Sequence, residues 1–245
     1  MGSKRPDGAD GHDSERATPI PMLAAPPAPA PERGRFSHDA VPDLGPYCGA
    51  VPHDASTGDS VDLPTDVDDG LFEIAQAKRP EDMSPEGSRE LANCWMTVAN
   101  RGGAVGFPFP PVSLDEVRTV ADLLIADLDP EYSQLLLARV DGGLAGWLSL
   151  SRYRAPVVPH WGMVKRVQTH PDFRGRGVAT ALMRRVREVA RDELGLEQLR
   201  LEARGGEGLE DFYGRLGWRE IGRWPGALRF AFGDRDEVLM LLAPL

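Results

Sequence analysis

Cysteine is nearly absent. The 245-residue chain has two, Cys48 and Cys94, far apart and in unlike surroundings. That excludes a disulfide scaffold and points to a reducing compartment. No apolar run reaches the roughly 20 residues that a membrane helix needs. Residues 19–31 (PIPMLAAPPAPAP) hold too many prolines for a signal or membrane helix, so the expected location is the cytoplasm. An excess of basic residues is missing as well. The formal net charge is −10, and residues 1–69, with 5 Lys and Arg against 13 Asp and Glu, account for −8 of it. Residues 70–245 are near balance at −2 and have no basic footprint, so neither nucleic acid nor a membrane is an expected partner.

What is present divides the chain in two. Residues 1–69 hold 11 of the 22 prolines and few large apolar residues. Such a segment cannot bury enough surface to offset its ordering entropy, and the expectation is a disordered acidic tail. Its second part, 41–69, reads either as solvated chain or as a strap across the domain surface. Composition shifts at Leu71, and residues 70–245 read as one domain.

Within that domain, Leu71 to Lys78 reads as a strand. Ser84-Pro85 is an N-cap with proline at the first helical position. Leu91, Cys94, Trp95 and Val98 follow at helical spacing, and Gly102-Gly103 ends the helix. Cys94 lies on that apolar stripe and reads as a core thiol. Ser113-x-x-Glu116 is a capping box, opening a helix striped by Val117, Val120, Ala121, Leu124 and Leu128. Asp127, Asp129 and Glu131 gather at its C-terminal end, as a solvated helix end or a cation site. Gln134–Val140 and Leu144–Ser151 flank Asp141-Gly142-Gly143, a hairpin signal. Gly162–Thr169 is a strand, and Val178, Leu182, Val186 and Leu194 mark a helix stopped by Gly195. Gln198–Arg204 alternates as a strand. Leu209, Phe212, Tyr213 and Leu216 mark a short helix. Trp218–Trp224 and Val238–Ala243 close the chain as strands joined by a polar loop around Gly233-Asp234. The order is β-α-α-β-β-β-α-β-α-β-β, a mixed α/β sheet.

The loop Arg174-Gly175-Arg176-Gly177-Val178-Ala179-Thr180 joins a strand to a helix N-terminus. Free amides and the positive end of the macrodipole suit an anion there, although glycines and arginines also make ordinary surface loops. A P-loop needs G-x-x-x-x-G-K-[ST], which does not occur, and a dinucleotide fingerprint needs a third glycine where Thr180 stands. The string R-x-x-G-x-A is met by Arg174, Gly177 and Ala179.

That string resembles the acetyl-CoA pyrophosphate loop of the GNAT superfamily of N-acetyltransferases. The element order resembles the GNAT fold from about residue 70 to the end. Phe212-Tyr213-Gly214-Arg215-Leu216-Gly217-Trp218 is similar to the signature of the family's last helix. The resemblance implies acetyl-CoA as co-substrate, with its pyrophosphate on Arg174, Gly175, Arg176, Gly177, Val178, Ala179 and Thr180. It implies pantetheine along the splayed fourth strand at Val167 and Thr169. It also implies Tyr213 as the acid beside the thiol, unless Tyr213 is core. The family's usual strand-four glutamate is missing, because that region reads Lys165-Arg166. Glu202 is the first alternative base, with His160 or a water relay as others. Gly206 stands where relatives often carry asparagine. Phe107, Phe109, Tyr153, His160 and Trp161 are expected to wall the acceptor pocket, or else to pack under loops. The implied activity is direct acetyl transfer to a primary amine, of a small molecule first and of a protein lysine or N-terminus second, by a monomer or homodimer and without a metal. The rival is a non-catalytic acyl-CoA-binding module.

Overall fold

The computed structural model describes residues 72–245 except 104, 105 and 108. The expectations for residues 1–69 fall outside the described residues. Seven strands and four helices run β1 (Glu73–Ala77), α1 (Pro85–Val98), α2 (Leu114–Ala126), β2 (Ser133–Val140), β3 (Gly143–Arg152), β4 (Trp161–Thr169), α3 (Val178–Glu188), β5 (Gln198–Arg204), α4 (Leu209–Gly214), β6 (Arg219–Phe230) and β7 (Gly233–Leu242). This is the order read from the sequence. The strands form one sheet, β1-β2-β3-β4-β5-β7-β6, antiparallel except between β4 and β5.

Local chemistry explains the helix starts. The Ser84 hydroxyl accepts from Gly87 N at 3.0 Å, and Pro85 takes the first helical position. At α2 the Ser113 hydroxyl accepts from Glu116 N while Ser113 N donates to the Glu116 carboxylate at 2.8 Å. Each satisfies an amide that the helix leaves free. The acidic cluster after α2 resolves into a turn. Asp129 accepts from the Glu131 and Tyr132 amides and from Arg154.

Period-two alternation puts neighbouring side chains of β2 on opposite faces. Leu136 and Ala138 join a core with β3, β5, β7, α3 and α4, whereas Leu135 and Leu137 join Trp95, Val117, Ala121 and Trp147 under α1 and α2. Both faces of the sheet centre are covered, which is why β2 and β3 read as continuous apolar runs.

The last two strands are longer than the sequence suggests. Residues 225–237, read as mostly loop, belong largely to the β6–β7 hairpin. The reason is its exposure. β6 is an edge strand, so its outer positions need not be apolar, and Arg229 pairs across to Asp234 at 3.0 Å. Pro225 sits where the register shifts between Trp224 and Leu228, a bulge on an edge that tolerates a residue without an N–H.

One glycine sets how the sheet meets α3. Gly146 in β3 lies opposite Thr169, the last residue of β4, and a Cβ there would stand 2.5 Å from the Gln168 carbonyl oxygen and 2.8 Å from the Val178 side chain. Val178 opens α3. We therefore expect Gly146→Ala to cost about 1–3 kcal/mol by overpacking, lowering the melting temperature by roughly 3–10 °C in a thermal melt. An unchanged melting temperature would mean that α3 is not seated against β3 in this way.

Candidate active site

β4 and β5 start as a parallel pair and then separate. Their register holds only for Trp161–Gln198, Gly162–Leu199 and Met163–Arg200. Beyond Met163 the β5-facing edge of β4 has no strand partner. A bulge accounts for the divergence. Between Trp147 and Ser149 of β3 there is one residue, whereas the matching stretch of β4 between Gln168 and Lys165 holds Arg166 and Val167. Arg166 takes φ 55°, a left-handed conformation that is uncommon for arginine. An extra residue bends its strand and re-aims side chains.

The loop after β4 places a second set of unpaired groups beside the first. Gly175 and Gly177 have φ 76° and 87°. Gly177 is the N-cap of α3 and has no side chain to cap it, so the first helical hydrogen bond is that of Ala181 N to Gly177 O, at 2.9 Å. The amides of Val178, Ala179 and Thr180 are thus left pointing out of the helix end.

The β4 edge, the α3 N-terminus and the residues facing them across the splay enclose a cleft of about 990 Å³. Val167, Thr169, Arg174, Gly175, Gly177, Val178, Ala179, Thr180, Glu202, Tyr213 and Phe107 all line it. A cleft with a strand edge on one side and free helix amides beside it suits a pantetheine arm carrying a diphosphate, and the residues present fit acetyl-CoA.

Tyr213 is 7% exposed and packs against Phe212 and Trp218, with ring centroids 5.1 Å and 6.1 Å away. Burial pushes its phenol up to about 12. Its hydroxyl has no hydrogen-bond partner among the described residues. It is a protonated donor beside the cleft. Glu202 is exposed on the face of β5 opposite Leu201 and Ala203, which belong to the α3-side core. Burial, and then the nearby Glu202 charge, push the Glu237 carboxyl up. Cys94 is on the buried face of α1, and desolvation pushes its thiol up to about 12, which keeps it protonated and inert.

Five expected residues, Arg176, Phe109, Tyr153, His160 and Trp161, are not brought to the cleft. Arg176 lies over the Phe173 ring at 5.4 Å. Phe109 is 62% exposed and is not part of the lining. Trp161 is at the first residue of β4, where that strand still pairs with β5; its ring meets Tyr153 at a tilt, centroids 5.0 Å apart, and Arg200 lies over it at 4.1 Å. His160 precedes it, its carbonyl accepting from Glu197 N. These two stand at the closed end of the pair, whereas the splay opens at the other end of the strand. Sequence order places a loop before β4 but does not say which end of β4 opens.

Other lining residues were not anticipated. Arg101 and Gly102 come from the α1–α2 connection, Arg166 from the bulge, Arg204 from β5, and Arg229 and Phe230 from the β6–β7 hairpin. Arg204 donates to Gly102 O at 3.1 Å and pairs with Glu207, which ties the connection to the end of β5. Arg166 had a signal in the sequence, as a cation where an acid was expected. The hairpin residues had none, because their approach depends on strand length.

Residues 95–218 match the Acetyltransferase (GNAT) family. Solved structures share the fold. An N-acetyltransferase from Staphylococcus aureus Mu50 aligns with TM-score 0.56 at 15% identity, over 70% of this chain and 98% of its own. The ribosomal-protein-S18-alanine N-acetyltransferase from Escherichia coli aligns with TM-score 0.52 at 14% identity, over 71% and 94%. A Salmonella typhimurium protein solved with its cofactor acetyl-CoA aligns with TM-score 0.52 at 18% identity, over 71% and 94%. With half of its length matching the family, and a cleft that fits acetyl-CoA, this chain belongs to the GNAT acetyltransferases and uses acetyl-CoA as its acyl donor.

Proposed function

We propose that this protein transfers the acetyl group of acetyl-CoA directly to the primary amine of a small molecule. One observation carries the reading. The cleft brings together the open edge of β4, the free amides of α3 and the unpartnered hydroxyl of Tyr213. Acetyl-CoA supplies a thioester carbonyl open to attack by an amine.

The protein's part is positioning and proton movement. The Val178, Ala179 and Thr180 amides hold the diphosphate, with Arg174 adding charge. Main-chain groups of β4 around Val167 and Thr169 align the pantetheine, and an N–H there polarises the carbonyl oxygen. Tyr213 donates its proton to the departing sulfur. Glu202 accepts the amine proton through water, since β4 carries no carboxylate at Lys165 or Arg166. Phe107, 5.5 Å from Trp95 in edge contact, walls the acceptor side.

No helix of the described residues is long and apolar enough to cross a membrane. We place the protein in the cytoplasm.

The test is release of free CoA thiol by the full chain with acetyl-CoA and a panel of small amines and peptides. Amine-dependent release with small amines supports the reading. Release only with peptides moves the acceptor to protein, and binding without release in any arm makes the chain an acyl-CoA-binding module. Direct transfer has its own expectation. Cys94→Ala should keep the rate within about threefold, because a buried protonated thiol is no nucleophile. A trapped acetyl-Cys94 in single-turnover mass spectrometry would overturn it.

A further inference from the structure

Resting on that reading, we propose that the acceptor amine also carries an oxyanion, a carboxylate or phosphonate, and that Arg166 holds it with Gln168 beside it. The site lies at the acceptor end of the cleft, on the α1–α2 face of the sheet.

Three observations converge there. Arg166 is half-buried, with its guanidinium 5.4 Å from the Trp95 ring centroid, and it has no carboxylate partner among the described residues. Of the other arginines of the lining, Arg204 is paired with Glu207 and Arg229 with Asp234, whereas Arg174 belongs to the loop before α3 and Arg101, from the α1–α2 connection, is a second cation without a carboxylate partner among the described residues. Burial pulls the Arg166 guanidinium below its ordinary range, which is the direction expected for a cation held without a counter-charge.

Gln168 is the second. It lines the cleft, is 2% exposed, and neither its amide nitrogen nor its amide oxygen has a hydrogen-bond partner. Opposite it on β3, the Trp147 indole nitrogen is buried and unpartnered too. Cross-strand neighbours share a face, and Trp147 meets Trp95 at 5.1 Å. Arg166 and Trp147 therefore both meet the Trp95 indole, and Gln168 stands across the strand pair from Trp147. Buried donors without partners are rare, and in an apolar wall beside a cleft they suit a ligand that brings acceptors.

The distribution of charge is the third. Glu202 faces the same side of the sheet from β5, and the other lining acid, Glu207, is held by Arg204. The acceptor end thus offers one cation from β4 and one carboxylate from β5 across the splay. That arrangement matches a molecule with an anion at one end and an amine at the other. An uncharged amine would leave Arg166 buried without a counter-ion.

The strain at Arg166 fits the same picture. Its φ of 55° turns the side chain at the bulge, and a conformation of this kind persists only where the surroundings hold it.

The experiment compares matched amines on the full chain: leucine, its phosphonic acid analogue, and isoamylamine, which lacks the anion. Wild type should favour one or both anionic members in kcat/KM by about tenfold or more, since a charge-assisted hydrogen bond contributes that much. The better of the two identifies the oxyanion. Arg166→Gln should raise KM for that acceptor by a similar factor while moving kcat and the acetyl-CoA KM much less, and Arg166→Lys should recover part of the loss. Gln168→Leu should raise the acceptor KM without lowering the melting temperature, because the amide it removes has no protein partner. Equal loss across all three amines in Arg166→Gln, a loss confined to acetyl-CoA, or a wild-type preference for isoamylamine would overturn the proposal.

If no amine is acetylated, the transfer reading fails by itself. The oxyanion site is then judged by tryptophan fluorescence, titrating leucine and its phosphonic acid analogue into the CoA complex. Saturable quenching lost in Arg166→Gln supports it, and none in wild type overturns it.

Discussion

Gly177→Asp is expected to abolish acetyl-CoA binding in a protein that remains folded. Gly177 is the N-cap of α3 at φ 87°, and the three amides that follow are free. Aspartate is a good N-cap, so its carboxylate would take hydrogen bonds from those amides itself. It would also stand against the diphosphate. Two like charges about 4 Å apart at a protein surface repel by roughly 4 kcal/mol, on the order of a thousandfold in affinity. Gly177→Asn is the control. Asparagine bears the same backbone strain and the same capping ability without the charge, and both residues tolerate the left-handed region better than most. We expect asparagine to weaken binding by about tenfold, from strain and competition alone. Calorimetry on both variants, with circular dichroism to verify the fold, checks this. Equal affinities for the two would remove the diphosphate from the α3 N-terminus.

Tyr213→Phe is expected to lower the rate of acetyl transfer by on the order of 10²–10⁴, the range for loss of a positioned general acid. Acetyl-CoA affinity should stay within a few-fold. The structure sharpens the contrast with a packing role. The ring sits between Phe212 and Trp218, and phenylalanine keeps those contacts. The hydroxyl has no partner among the described residues, so its removal breaks no internal hydrogen bond and the melting temperature at neutral pH should not fall. Single-turnover transfer is the measurement, so that product release does not mask the chemical step. A rate within about threefold of wild type would place Tyr213 in the core alone.

Alkaline stability supplies a second readout for the same residue. The folded phenol is pushed up to about 12, above its ordinary value of 10.0. A raised pKa means that the folded state holds its proton more tightly. The contribution is complete below the unfolded value near 10 and is lost as pH rises to about 12. Stability of the wild type should therefore fall over that window, and more steeply than that of Tyr213→Phe. Parallel curves would mean that the phenol is not buried as described.

Much of the fold was legible because local signals were strong. Ser84-Pro85 and the Ser113–Glu116 box open α1 and α2 where capping chemistry requires, and β5 runs from Gln198 to Arg204 as its alternation indicated. The edge hairpin was shortened in the reading, because a solvated edge strand has no apolar pattern to display. Legibility of the site followed the same division. Gly175, Gly177 and the first three residues of α3 line the cleft, and the signal that marked them, glycines before a helix start, is local in the sequence. His160 and Trp161 lie outside the cleft lining, because their position depends on which end of β4 leaves β5, a property of two strands far apart in sequence.

The sequence alone determined the element order, the glycine loop before the third helix and the absence of a carboxylate on the fourth strand. These depend on periodicity, capping and residue type, which are local. Only the tertiary structure decided where β4 parts from β5, that Tyr213 meets the cleft with its hydroxyl free, and that Arg166 turns at a bulge onto Trp95 beside an unpartnered Gln168. Each of these depends on how the register of one strand is set by its neighbours. A single extra residue in β4 re-aims a side chain that the alternating pattern would have sent elsewhere.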